Sequence, residues 1–439
     1  MKLALLMLLA ATQLIEVYPN PYGLDEAEYI KFHCDSDCIL TDGEGEITVD
    51  AGTHIATKNL SYFKERFGHE ADIEFPPKMA LSNEGEEICL NEDCFYYGKD
   101  VDFLDDGVIY YRTESGWDFR YEDWSNFSCV TDRVEGRLII THTDYTLNDG
   151  WIVASYTFSA PFKPAKLYVD ANPPYIPCRE LKIPNTYFLS ANSYRNFHYK
   201  FAVKGENVVL TTENWVFTKK GYIVEFKSEK IAKTLLKLLE SDEKFSKKPE
   251  YCTDSNYRNG HGSKSAEFSA NVTLFIIPDC NPILDFISSA RSRLYIISPY
   301  MSLDWYTTGG LCDSIKRAVE NGAEVSIFLD SRYADRDVVE SLRKFGVKVN
   351  LIGGLHGKAI VSDDRLLITS ANMNMYGLKL NREVGIIIDN KELANFVVED
   401  IESVKKNEIT TLDLTVTVIA FLISSAIFIK YRGRGKDKL

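Results

Sequence analysis

Apolar residues are spaced in two different ways along this chain of 439 residues, and the spacing changes near residue 108. Before that point short runs alternate apolar and polar positions and are cut by turn residues. YIKFHC (29–34), IEFPP (73–77) and EEICL (86–90) are separated by DGEGE (42–46) and SNEGE (82–86). A period of two sends successive side chains to opposite faces of a strand, so residues 13–107 read as a small β-sandwich. Beyond residue 108, apolar strand-like runs alternate with stretches of helical period. GRLIITHT (136–143), AKLYVDAN (165–172), TYFLSAN (186–192), VVLTT (208–212) and YIVEF (222–226) read as strands, with a helical stretch expected near 148–158. Residues 228–242 place Ile231, Leu235, Leu236 and Leu239 on one helical face.

A polar stretch without period follows and reads as a linker, 246–270, before the alternation restarts. NVTLFIIPD (271–279), RLYIISPY (293–300), EVSIFLDS (324–331) and VKVNLIGG (347–354) are strand-like, with helices predicted over 282–290, 314–321 and 338–345. Two blocks of strand–helix alternation, 108–245 and 271–405, predict an α/β fold with a parallel or mixed sheet.

Both ends differ from this interior. Met1-Lys2 leads into LALLMLLAA (3–11) and then small and polar residues, which predicts a secretory signal over 1–12. Leu412 to Ile429 is apolar apart from Asp413 and long enough, at about 27 Å as a helix, to cross a hydrocarbon core. The basic tail KYRGRGKDKL (430–439) after this predicted transmembrane helix puts the C-terminus in the cytoplasm by the positive-inside rule. The expectation is a single-pass cell-membrane protein with its bulk outside the cell.

The net charge of −14 argues against a general nucleic-acid coat protein, while leaving room for a local basic groove. Nine cysteines, with the short-spaced pairs Cys34/Cys38 and Cys89/Cys94, suit an oxidising compartment. The same four could instead make a zinc quartet near His33, but the spacings are not those of two-residue knuckles. Three sequons, at Asn59, Asn126 and Asn271, fit an exported chain.

An internal repeat carries the candidate chemistry. His198 is followed by Lys200, Thr212, Asn214 and Glu225; His356 is followed, at the same offsets of 2, 14, 16 and 27, by Lys358, Ser370, Asn372 and Glu383. Leu167 and Val325, in the preceding strand of each block, both lie 31 residues before the histidine. Residues two apart on a strand share a face, so each half offers an imidazole, a positive charge and an amide on one side. Two such sets meeting across a pseudo-twofold axis would surround one phosphoryl group. Lysines and asparagines would hold its oxygens, one histidine would attack phosphorus, and the other would protonate the leaving oxygen. Thr212 and Ser370 are expected at the substrate, and Glu225 and Glu383 are each expected to hold the far nitrogen of a histidine. No metal or other cofactor is needed, because the lysines supply the charge. A lone strand histidine satisfied by its neighbours is the simpler account of His33, His54, His69 and His142, and a solvated loop that of His261.

His356-Gly-Lys358, Asp363 after four intervening residues, and Thr369-Ser370-Ala-Asn372 resemble the HxKxxxxD…GSxN motif of the phospholipase D superfamily over about 108–405. The resemblance implies two duplicated α/β halves in one chain, a phosphohistidine intermediate with His198 attacking and His356 as acid, and Asp363 as a support. It implies a phosphodiester substrate, nucleic acid or phospholipid, and a site complete in a monomer. The first copy departs from the motif at Gly205, where the aspartate should stand, and at Thr211-Thr212. The opening LIEVYPNPYGLDEAEYIKF is similar to the start of a lamin tail domain, which implies an adhesive or positioning module with a protein partner and no chemistry. The other function class compatible with these residues is an inert surface adhesion or scaffold protein that retains a phosphate-binding fold.

Overall fold

The computed structural model describes residues 11–404, apart from 115, 142–144, 173–175, 177, 216–219, 250, 254–262 and 304–309. The expected signal segment lies outside the described residues except for its last two positions. The predicted transmembrane helix, the basic tail, His142 and His261 lie wholly outside them. Among the described residues no helix is long and apolar enough to cross a membrane. The chain forms two compact units, one built mainly from the residues up to Asn126 and the other from Phe127–Ser190, Asn196–Ser302 and the chain from Ile315 on.

The first unit contains β1 (Gln13–Tyr18), β2 (Tyr29–Cys34), β3 (Cys38–Thr41), β4 (Glu46–Val49), β5 (Gly52–Thr57), β6 (Ile73–Glu74), β7 (Glu86–Leu90), β8 (Asp93–Tyr97), β9 (Val108–Thr113) and β10 (Gly116–Tyr121). They form two sheets, β10-β9-β1-β2-β5-β6 and β4-β3-β7-β8. Aromatic rings fill the space between them: Phe95 stacks on Trp117 at 3.9 Å and Tyr97 on Tyr110 at 5.5 Å. Helix α1 (Leu60–Phe67) is capped by the Asn59 side chain, which accepts from Tyr62 N, and ends at Gly68 in the left-handed region. β9 pairs with β1 through Glu16↔Tyr111, so β9 and β10 belong to this unit rather than to the α/β block that 107/108 was expected to open. Cys34–Cys38 and Cys89–Cys94 are disulfides, which removes the zinc alternative. His33 meets Thr53 and His54 meets Asp72, ordinary structural contacts.

The second unit holds β11 (Val130–Thr141), β12 (Ile152–Ser155), β13 (Lys166–Asp170), β14 (Thr186–Leu189), β15 (Phe201–Lys204), β16 (Asn207–Thr211), β17 (Gly221–Lys227), β18 (Ser263–Ile277), β19 (Arg293–Ser298), β20 (Glu324–Asp330), β21 (Lys348–Ile352), β22 (Ala359–Ser362), β23 (Arg365–Thr369) and β24 (Glu383–Ile388). The sheet order is β14-β13-β12-β15-β16-β17-β11-β18-β24-β23-β22-β19-β20-β21. Read outward from the middle, the two sides are the same: β11, β17, β16, β15, β12, β13, β14 match β18, β24, β23, β22, β19, β20, β21. The duplication seen in the sequence is thus a pseudo-twofold axis between β11 and β18, which pair antiparallel from Val130↔Leu274 to Thr141↔Ser263. Helix α2 (Glu229–Asp242) follows β17, and α3 (391–404) follows β24.

Two sequence expectations fail here. Within 148–158 the chain forms β12, not a helix, and Val153, Ala154 and Ser155 are all buried. A short strand covered on both faces shows no alternation, so its period cannot be told from that of a buried helix. The expected linker also ends early, because β18 starts at Ser263. Its outer half alternates Phe268, Ala270 and Val272 inward with Glu267, Ser269 and Asn271 outward. Cys129–Cys280 spans 151 residues and joins the segment before β11 to that after β18; Cys178–Cys252 is the other disulfide here, and Cys312 is free. C129A/C280A is expected to lose about 2–5 kcal/mol of stability in denaturant unfolding; an unchanged midpoint would contradict this.

Candidate active site

His198 and His356 sit just before β15 and β22, and each hangs on a strand end of the opposite half. Short parallel bridges pair Phe197 with Arg382 and Lys220 with Leu355. His198 N donates to Arg382 O at 2.8 Å, and His356 N donates to Lys220 O at 3.0 Å. Buried ion pairs lock both crossings. Arg382, fully enclosed, donates to Asp279 at 2.9 Å and to both oxygens of Asp242 in α2 at 3.3 Å; Lys220 pairs with Asp400 in α3. The backbone geometry of one histidine therefore depends on charges carried by the other half.

The side chains repeat this exchange. His198 Nδ1 lies 2.7 Å from Glu383 Oε1, and Glu383 also accepts from Asn381 Nδ2 at 3.0 Å and from Ser370 Oγ. Lys200 Nζ donates to His198 O at 2.6 Å and lies 3.0 Å from His198 Nε2. Lys358 Nζ donates to His356 O at 3.0 Å, lies 3.3 Å from His356 Nδ1, and reaches Thr212 O of the other half at 3.4 Å. Glu213 Oε1 lies 3.2 Å from His356 Nδ1. The Tyr156 ring stands edge-on to His198 at 4.9 Å. The amide oxygens of Asn214 and Asn372 are buried and make no hydrogen bond within the protein, so each amide can turn to a ligand. Gly357 is the small residue of this motif because the Tyr222 ring packs against it, 2.5 Å from where a Cβ would stand.

Burial dominates the charges. It pushes His198 down to about 4 against the pull of Glu383, helped by Lys200 and Lys358, so the imidazole is neutral at physiological pH. With Nδ1 committed to Glu383, the Nε2 lone pair is the one left for chemistry. Burial also holds Lys200 well below the ordinary lysine range, opposed by Glu383. Burial alone would raise Glu383, but His198, Lys200 and Ser370 outweigh it and keep the carboxylate ionised.

The sequence-derived residues divide accordingly. His198, Lys200, His356, Lys358 and Glu383 form one interacting cluster drawn from both halves. Glu225 does not join it: it accepts from Arg137 at 2.6 Å and from Tyr145 at 2.6 Å, in a groove it lines with Trp151 and Lys227. The reason is register. Thr212 N donates to Tyr222 O, whereas Ser370 N donates to Val384 O, so ten residues in one half do the work of fourteen in the other. The equal offsets of Glu225 and Glu383 are a coincidence of loop length, and Glu225 lies about 13 Å farther along its strand. Thr212 and Ser370, expected at the substrate, are engaged within the protein. Both are fully buried; Thr212 Oγ1 accepts from Tyr222 N, and Ser370 Oγ braces Glu383. Asp363 ties its turn to the start of β19: its carboxylate accepts from the backbone of Arg291, Ser292 and Arg293. At Gly205, which shares its positive φ, that tie is replaced by Lys204 Nζ donating to Asp149 O at 2.8 Å. Glu213 went unnoticed in the sequence, since its counterpart in the repeat is Ala371 and nothing local marks it.

Comparison with known proteins finds sequence relatives for the second half. Residues 283–405 match the family model described as "Cardiolipin synthase, PLD-like domain". The chain is 32% identical over 116 residues to "Cardiolipin synthase A" of Buchnera aphidicola subsp. Acyrthosiphon pisum, covering 25% of this chain and 24% of that protein. It is 30% identical over 115 residues to "Cardiolipin synthase A" of Wigglesworthia glossinidia brevipalpis, covering 25% and 23%. It thus spans about a quarter of the length of these curated relatives. Among solved structures, phosphatidylserine synthase of Haemophilus influenzae matches 60% of this chain and 81% of its own, at 13% identity and a TM-score of 0.43. Nuc of Salmonella typhimurium, a phospholipase D family member, matches 30% and 92%, at 18% identity and a TM-score of 0.27. Residues 283–405 are thus similar to a phospholipase D-like domain.

Proposed function

We propose that this protein cleaves a phosphodiester through a covalent phosphohistidine, with His198 as nucleophile and His356 as general acid and base. The observation that carries the reading is the hydrogen bond from His198 Nδ1 to Glu383 of the opposite half, which leaves a neutral imidazole whose Nε2 carries the lone pair and faces Lys200 Nζ at 3.0 Å. In the first step Nε2 attacks phosphorus, the bond to the leaving oxygen breaks, and His356 gives that oxygen its proton. In the second, His356 takes a proton from water, the water oxygen bonds to phosphorus, and the P–N bond returns its pair to His198. An alcohol in place of water would make the same site a transferase. Lys200 and Lys358 face the phosphoryl oxygens, whose charge favours the protonated lysines.

The similarity to cardiolipin synthases favours a phospholipid phosphodiester as substrate, met at a membrane. The signal-like start, the apolar segment 412–429 and four disulfides support an anchored protein working outside the cytoplasm, as a monomer, with the first unit as its positioning module. Release of headgroup from phospholipid vesicles tests the substrate; nicking of plasmid DNA with no headgroup release would replace it with nucleic acid.

Two outcomes are expected of the chemistry. Turnover persists in EDTA, because lysines rather than a metal neutralise the phosphoryl charge; its loss would contradict the mechanism. The acid limb of kcat/KM reports the free nucleophile. His198 stays neutral well below the ordinary histidine pKa of about 6.5, so the limb falls only as the pH nears about 4. A limb centred at 6.5 would mean that another group attacks.

A further inference from the structure

We propose that Glu213 is the positioning residue of the His356 imidazole, and that the first half has moved its carboxylate from the strand into the adjoining loop. The proposal rests on the reading of His356 as the acid. The backbone fixes the comparison. Thr212 N donates to Tyr222 O at 3.0 Å and Ser370 N to Val384 O at 2.9 Å, so Gly221 occupies the station that Glu383 occupies in the other half. A Cβ on Gly221 would stand 2.8 Å from Glu213 Cγ and 3.0 Å from Thr212 Oγ1. The volume that a strand side chain would fill is therefore taken by Glu213, arriving from the loop.

The complementary exchange exists on the other side. Ala371 stands at the loop station that matches Glu213 and is fully buried, with no side chain able to reach a ring. Each half thus has one acidic and one small residue, with the places exchanged: Glu213 with Gly221, and Ala371 with Glu383. Both arrangements end on a histidine of the opposite half: Glu383 is hydrogen-bonded to His198 Nδ1, and Glu213 Oε1 lies within ion-pair range of His356 Nδ1 at 3.2 Å, beside Lys358 Nζ at 3.3 Å. The Glu213 side chain is only 3% exposed. A carboxylate so enclosed needs a cationic neighbour, and His356 supplies one in the protonated state that its role as acid requires. Glu213 also acts on the buried Lys200, which joins it to the same cluster.

A residue that sustains the acid matters in proportion to how much acid the leaving group needs. The test measures kcat/KM of the full chain on bis(4-nitrophenyl) phosphate and on diphenyl phosphate, whose leaving group is the more basic. E213Q, which keeps the volume, is expected to lower the first about 5-fold and the second roughly 100-fold. G221E alone is expected to lose activity, because its side chain collides with Glu213. E213A/G221E is expected to recover at least about 10-fold over E213A on diphenyl phosphate, the new strand carboxylate reaching His356 beside Thr212. Thermal unfolding of each variant separates folding from function. Equal losses on both esters, with no rescue by the double variant, would overturn the proposal while leaving the phosphodiesterase reading intact. No turnover by the unmodified chain on either ester would overturn both.

Discussion

His356→Asn is expected to stop after one turnover on bis(4-nitrophenyl) phosphate. 4-Nitrophenolate leaves without help from an acid, so His198 is still able to attack and the first step proceeds. The second step needs a base for water, and none remains. The result is a burst of about one nitrophenolate per chain, then turnover slowed by roughly 10²–10⁴. The trapped species carries an acid-labile, alkali-stable phosphoryl group on His198. His198→Asn is expected to give no burst and to lose at least about 10⁴ in kcat, since the nucleophile itself is gone. The two variants are distinguishable only because the site is asymmetric in use. Its geometry is nearly symmetric, but only His198 has a carboxylate hydrogen-bonded at 2.7 Å and braced by Ser370 and Asn381. A burst in His198→Asn and none in His356→Asn would exchange the roles.

Arg382→Ala is expected to be the most destabilising single change in the second unit. Its guanidinium is fully buried, donates to Asp242 and Asp279, and lies over the Phe127 ring. Removing it leaves two enclosed carboxylates without their cation, a loss of about 3–5 kcal/mol and a Tm lower by roughly 10 °C. Arg382→Lys should recover only part, because a single ammonium cannot span both carboxylates as the planar fork does. The related clasp is weaker in consequence. Lys220→Met still leaves Lys264 on Asp400 at 3.3 Å, so a smaller loss is expected there. Arg382 also bears on chemistry, because its ion pairs anchor the backbone whose carbonyl accepts from His198 N. Arg382→Ala should therefore lower kcat even at temperatures where the variant remains folded. Unfolding within about 1 kcal/mol of the parent would mean the carboxylates find other partners.

The repeat made most of this site legible before any coordinates. Spacings of 2, 14 and 16 survive duplication because those residues lie on or beside one hairpin, β15–β16 or β22–β23, whose length is the same in both halves. The spacing to the carboxylate crosses a loop that does change length, and there linear offset misled: it selected Glu225, while the structure uses Glu213. No period marks Glu213, since its role comes from the space above Gly221. The ion pairs of Arg382 and Lys220 were equally hidden, because each joins residues more than a hundred positions apart. β12 was misread for a different reason, as a strand buried on both faces has no alternation to detect. β9 and β10 pair into the first unit rather than opening the second block, because apolar runs alone do not reveal which sheet edge a strand joins.

The stereochemical course at phosphorus tests the covalent step most directly. A diester made chiral at phosphorus with sulfur and oxygen isotopes, cleaved in labelled water, should give product of retained configuration, the sum of two in-line displacements with His198 as the intermediate carrier. Inversion would mean that water attacks the diester itself, and the cluster around His198 and His356 would then not be a phosphoenzyme site.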